Sequence, residues 1–295
     1  TALALATTRD GRFVSFAAVT VKEDAAVYVA VVALWLTVSG LLHREKWSVR
    51  AGAAMLRGAL GWFFLVTGYL SRDGEGVMTY RYKNFFFKEQ SSLLTVIEAV
   101  LLNPMKAVQE CLKAEKLEFI AMTLLPLLGL PLLTRRYERY ILLIPYVLVN
   151  LMPAHQYQYN IYFQYTFGSA ALLLYLTIVN LADIRENWQR MAALGTALAL
   201  SMACFGVTVL PKGISYPKQC LDYDDFYSGV RSTLAEIPAD ASVSATTFYT
   251  VMLSQRDILY DVRYCSLEHL LSTEYVALNV KSTSDYKKYN TDGKN

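Results

Sequence analysis

Two groups of residues have the types and spacing to do chemistry. The first is Lys22-Glu23-Asp24, three consecutive charges between apolar runs at 13–21 and 25–42. A lysine at a helix break, beside the free backbone N–H groups of the helix that follows, suits a phosphate. Glu23 or Asp24 could orient that lysine or hold a divalent metal. Asp24 could equally do no more than cap the helix starting at Ala25.

The second group is His155-Gln156-Tyr157-Gln158-Tyr159-Asn160, continuing to Gln164-Tyr165. Amides interleaved with tyrosines suit a sugar or a lipid headgroup, because rings stack on sugar faces while amides bond hydroxyls. The plainer alternative is an aromatic belt, with tyrosines at headgroup depth for no catalytic reason. Arg57, inside an apolar run, reads as a side chain that snorkels or pairs.

Cys111, Cys204, Cys220 and Cys265 lack metal-ligand spacing. A Cys220–Cys265 disulfide would close a loop of roughly 45 residues and contribute about 3–4 kcal/mol in the chain-entropy model. Nucleophile-elbow, zinc and nucleotide-loop motifs are absent. A net charge of +3, dispersed along the chain, gives no basic stripe for nucleic acid.

The elements that must position these groups are set by hydropathy. Of 295 residues, 54% are hydrophobic and 18% charged, and the mean hydropathy is +0.27. Charge is therefore scarcer than in ordinary globular domains, where it is about 25%. Apolar runs of about 17–25 residues match a hydrocarbon core about 30 Å thick. The pattern predicts a mainly α, polytopic membrane bundle over 1–210. It comprises a short or re-entrant hairpin at 13–42 and spans near 51–70, 117–133, 140–153, 166–182 and 191–210. The hairpin's first arm is only half a bilayer long, which places its charged tip in a wet cavity; an ordinary loop before a full span is the alternative. Segment 71–116 has mixed charge and apolar patches, and is expected to lie in the outer interface. The chain opens on Thr1 in mid-pattern, as a processed or partial product of something longer would.

Lys and Arg in the short loops set orientation. Arg9, Arg12, Arg44, Lys46, Arg50, Arg135, Arg136, Arg139, Arg185 and Arg190 fall on one side, the cytoplasm, if the hairpin returns to the face it left. The loop at His155 and residues 211–295 are then outside. That tail reads as a small soluble α/β domain, with strands near 241–245, 257–262 and 275–280 and a helix over 248–255.

Three ordered stretches carry a family resemblance. They are Val21-Lys-Glu-Asp-Ala25; Leu124-Leu-Pro-Leu-Leu128 to Pro145-Tyr-Val-Leu-Val-Asn150, leading into Tyr159-Asn-Ile-Tyr-Phe-Gln-Tyr165; and Ile237-Pro-Ala-Asp-Ala-Ser-Val-Ser-Ala245 with Leu253-Ser-Gln-Arg-Asp-Ile-Leu-Tyr260. Together they resemble the C-terminal two-thirds of the DUF2079 predicted membrane proteins, among the GT-C-type polytopic glycosyltransferases. The resemblance implies transfer of a sugar from a polyprenyl-phosphate donor at the outer membrane face, with Lys22 near the donor phosphate. It also implies that the outer loop bearing the catalytic carboxylate lies upstream of Thr1. Where that family commonly has His before the loop tyrosine, this chain has Gln164. A different class of function fits the same pattern: a non-catalytic membrane partner or transporter-like protein that binds a lipid or an anionic ligand.

Overall fold

The computed structural model describes residues 25–72, 79–86 and 92–279. Lys22, Glu23 and Asp24, with the first arm of the expected hairpin, lie outside the described residues. The first described helix, α1 (Ala25–Leu42), is 18 residues without a charge, about 27 Å of helix. A turn through Arg44, at φ 57°, leads into α2 (Lys46–Leu70). The two pack closely because small residues meet. A Cβ on Gly52 would stand 2.7 Å from the Ala33 carbonyl, and one on Gly40 2.8 Å from the Val49 nitrogen. Small residues at such a seam let backbones approach where lipid gives no hydrophobic drive for helices to associate.

After a 3₁₀ segment (Thr79–Phe85) come α3 (Leu93–Leu102), α4 (Pro104–Cys111) and α5 (Ala114–Leu124). Ser92 and Asn103 cap α3 and α4 by accepting from the Thr95 and Lys106 N–H groups. The stretches expected as spans near 117–133 and 140–153 are not continuous α-helix. Helix α5 ends at Leu124, and Leu128 and Gly129 are both left-handed, at φ 54° and 64°. The chain then forms 3₁₀ turns at Leu130–Leu132 and Tyr137–Leu143 and a π-helical turn at Tyr146–Leu151. Pro126, Pro131 and Pro145 remove backbone donors along this run, which is why its apolar composition does not yield straight helices.

Helix α6 (Phe167–Ala182) follows, then α7 (Asn187–Thr208). Side chains on α1 and α6 fix their relative direction. Tyr28 meets Gly168 and Ser169, and Trp35 meets the Tyr175 ring at 6.1 Å. The two helices therefore run parallel, and their N-terminal ends share one end of the unit. Leu142, Leu172 and Leu176 form the core between them, with Val32 and Trp35 packed on it. Arg139 is pinned beneath the other end of α6, donating to Asn180 Oδ1 at 2.7 Å and to Asp183 Oδ2 at 2.6 Å. A cation there also suits the negative end of the helix dipole.

Four helical stretches are long and apolar enough to cross a membrane among the described residues: Ala25–Leu42, Lys46–Leu70, Gln164–Ala182 and Asn187–Asp222. On α7 the side chains of Met191, Leu198, Met202 and Phe205 are exposed, while Ala197 is buried. An outward apolar surface of this kind is stable in lipid rather than water.

The chain divides into two compact units, parting between Thr208 and Val209. The second holds α8 (Leu210–Asp222), α9 (Asp224–Ala235), β1 (Val243–Ala245), α10 (Thr247–Thr250), β2 (Leu259–Asp261), α11 (Leu267–Ser272) and β3 (Tyr275–Ala277). The strands form a parallel sheet in the order β2-β1-β3, with Ser244 opposite Tyr260 and Val276. Central β1 is fully buried, against Leu234 and Leu253. The helix expected over 248–255 is only the single turn α10. Beyond it the chain turns so that the Arg256 guanidinium donates to the carbonyls of Ile237, Pro238 and Ala241. That contact joins the two stretches of the tail that the family resemblance singled out.

Candidate functional site

The site is built outward from Asn150, which is fully buried on the π-helical turn. Such a turn inserts one residue into a helix and re-aims the side chains on it, a feature frequent at functional sites. Here it turns Asn150 toward the loop at 155–166. Its amide donates to the Gln158 carbonyl at 2.6 Å and to the Tyr165 carbonyl at 3.2 Å. Its Oδ1 accepts from the Ser169 hydroxyl at 2.5 Å. One side chain thus holds both halves of the loop and the first turn of α6.

At one end of the loop, the His155 ring lies edge-on to Tyr80, Tyr157 and Tyr165, at 6.1, 5.0 and 6.4 Å. The Arg81 guanidinium lies over the Tyr165 ring at 4.9 Å, and its carbonyl accepts from the Ala154 N–H at 2.7 Å. Burial, then the charges of Arg81 and Lys83, hold the His155 imidazole below its ordinary 6.5. At neutral pH it is uncharged, with one ring nitrogen able to accept.

Farther along, the loop faces α5 across a cleft of about 340 Å³. Glu115 and Glu118, one turn apart on α5, line one side, and Gln156, Tyr159, Asn160 and Tyr162 line the other. Phe119, Met122 and Ile161 complete it. Asn160 shapes the loop by accepting the Tyr162 N–H at 3.0 Å. The Tyr159 hydroxyl donates to Glu115 Oε2 at 3.2 Å. Burial, then the Glu115 carboxylate, raise the Tyr159 phenol above its ordinary 10.0, so it stays a donor. Carboxylates and amides between aromatic rings are the donor, acceptor and stacking groups that a polyhydroxylated ring needs.

The residues expected from sequence are dispersed. Gln156 lines the cleft; Tyr157 and Tyr165 flank the His155 ring, with Arg81 over Tyr165; Gln158 points inward and is 2% exposed. Gln164 is exposed and opens a 3₁₀ turn before α6. Sequence reasoning missed Asn150, Glu115, Glu118, Tyr162 and Lys116. The signal for the acidic pair was present in Lys113-Ala-Glu-Lys-Leu-Glu118, whose carboxylates fall on one face of a helix.

All four cysteines carry free thiols, so the considered Cys220–Cys265 disulfide is not formed; Cys220 is exposed on α8 and Cys265 follows β2. Among the described residues, no three His, Cys, Asp or Glu side chains gather as a metal-ligand set.

No curated protein and no solved structure matches the chain. A family model described as a predicted membrane protein family, DUF2079, matches residues 3–294, and the chain belongs to that family.

Proposed function

We propose that this chain is a membrane glycosyltransferase, or its C-terminal portion, that takes a sugar from a polyprenyl-phosphate donor at the outer membrane face. The observation that carries this reading is the cleft between α5 and the 155–166 loop, in which Glu115, Glu118, Gln156 and Asn160 alternate with Tyr159 and Tyr162. Its volume fits one sugar ring with its linkage, at the lower end of ordinary ligand pockets (about 300–1,000 Å³). The donor class is what the sequence resemblance to a family among the GT-C-type transferases implies.

Geometry supports the orientation. Arg136 and Arg139 both approach Asp183, so the basic connectors at 134–139 and 183–186 meet at one end of α6. Because α1 runs parallel to α6, its following connector with Arg44 belongs to that end too. The 155–166 loop adjoins the opposite end. Positive charge marks the cytoplasmic side, so the cleft and the C-terminal α/β domain are assigned to the outside. Lys22, Glu23 and Asp24 immediately precede α1, whose first turns reach Ser169. They remain assigned in this reading to the donor phosphate, with Lys22 as the phosphate ligand.

The test is binding of undecaprenyl phosphate carrying glucose or mannose to the full chain in lipid nanodiscs, against plain undecaprenyl phosphate. The glycolipid is expected to bind more tightly, and Asn160→Ala is expected to remove that preference. Equal affinity for both lipids would favour a lipid-binding partner without a sugar site.

A further inference from the structure

Lys116 is the most deeply buried charge among the described residues, 2% exposed, and its ammonium has no hydrogen-bond partner among them. An unpaired buried ammonium is costly and persists only where something offsets it. Here the offset is the Tyr159 ring, whose centroid lies 5.2 Å from Nζ. A desolvated cation over an aromatic face is attracted by the ring quadrupole. The same ring lines the cleft, and its hydroxyl is held by Glu115. Tyr159 is thus gripped at two points, by the ammonium over its ring and by the carboxylate at its tip.

We propose that Lys116 is a positioning residue for the cleft: its ammonium fixes the Tyr159 ring as the wall on which a sugar stacks, and so sets affinity for the sugar-bearing ligand. The sugar half of this inference rests on the reading given above; the grip on Tyr159 does not.

The groups that act on Lys116 come from each neighbouring element. Glu110 and Cys111 lie on α4, Lys113 lies in the connector, Glu115 is on α5, and Tyr159 is in the loop. Glu110 is itself occupied, by Lys113 at 2.8 Å and by the Asn84 amide at 2.8 Å. Burial pushes the Lys116 amine below its ordinary 10.5, while Glu110 and Cys111 oppose that shift. The grip is therefore lost as pH rises and the amine gives up its proton, at a lower pH than an ordinary lysine would.

Hydroxyl-radical footprinting of Tyr159 by mass spectrometry, across neutral to alkaline pH, reads the grip without any ligand. The wild-type ring is expected to be protected at neutral pH and to become reactive before pH 10.5. Lys116→Arg should hold the protection over the whole range, since a guanidinium keeps its charge. Lys116→Met fills the same space without charge, and should be reactive throughout with no pH dependence. Its affinity for undecaprenyl-phosphate glucose in nanodiscs should fall about tenfold. Footprints in Lys116→Met that match wild type at every pH would overturn the proposal, as would a wild-type ring whose reactivity ignores pH. Should Lys116→Met unfold, the wild-type and Lys116→Arg profiles still decide. If the footprints behave as expected but no glycolipid binds, the sugar reading fails and the positioning role stands.

Discussion

The Tyr28 hydroxyl stands 3.4 Å from the Ser169 hydroxyl, near the first turns of two parallel helices. Ser169 spends its own proton on Asn150 Oδ1, so Tyr28 is the donor in that contact. Asn150 in turn donates to the Gln158 carbonyl. A line of four residues therefore connects the start of α1 to the aromatic loop.

Removing the middle of that line has a calculable cost. Asn150→Leu leaves the Ser169 hydroxyl and two loop carbonyls without their partner, and is expected to destabilise the protein by about 1–3 kcal/mol. Tyr28→Phe keeps the packing and should cost less, about 0.5–1.5 kcal/mol. Thermal unfolding of both variants in the same detergent checks the order; a milder Asn150→Leu would contradict it.

The α1–α2 seam makes a steric prediction. At Gly52 an added Cβ meets the Ala33 carbonyl and the Thr37 backbone nitrogen, neither of which can rotate away. Gly52→Ala should therefore destabilise by about 1–3 kcal/mol. Gly61, where nothing lies within 4 Å of an added Cβ, is the control, and Gly61→Ala should be neutral or mildly stabilising. Equal melting temperatures for the two variants would show that the helices do not pack as described.

His155 links stability to pH with a definite sign. Its imidazole titrates below 6.5 in the folded protein, so near that pH the unfolded chain binds more protons. Its contribution is present at neutral pH, and is lost as pH falls from about 6.5 through the lower folded value. His155→Gln should flatten the acid side of the stability profile; a profile unchanged by that substitution would count against the half-buried placement beside Arg81.

Side-specific labelling checks orientation. Single cysteines replacing Arg136 or Arg185 should react with an impermeant thiol reagent only from the cytoplasm, and one replacing Gln164 only from outside. Reaction of all three from one side would reverse the assignment of the cleft.

Much of this was legible along the chain, and the exceptions have physical causes. Long apolar runs correspond to α1, α2, α6 and α7 because a span needs only length and apolarity. The runs at 117–133 and 140–153 are apolar as well, yet Leu128 and Gly129 turn left-handed there and the prolines break the ladder. A left-handed leucine has no signature in composition. The aromatic loop announced itself through its tyrosines and amides. Its partners did not, because Glu115 and Lys116 read as the polar end of an interfacial segment, and Glu118 as the start of a span, until the fold brings Tyr159 against them. Asn150 looks like a stray polar residue in an apolar run, and only the π-helical turn shows what it holds.

The central claim is sugar transfer, and the most direct measurement follows the label on the sugar. The full chain in nanodiscs is supplied with undecaprenyl phosphate carrying radiolabelled glucose or mannose and a membrane-lipid extract as acceptor. Radioactivity is then followed out of the donor by thin-layer chromatography. The account predicts that label leaves the donor in proportion to protein and time, and that Asn160→Ala, which strips a hydroxyl-binding amide from the cleft wall, slows it about tenfold. Label that stays on a donor shown to occupy the cleft would contradict transfer, leaving a membrane protein that binds a glycolipid without turning it over.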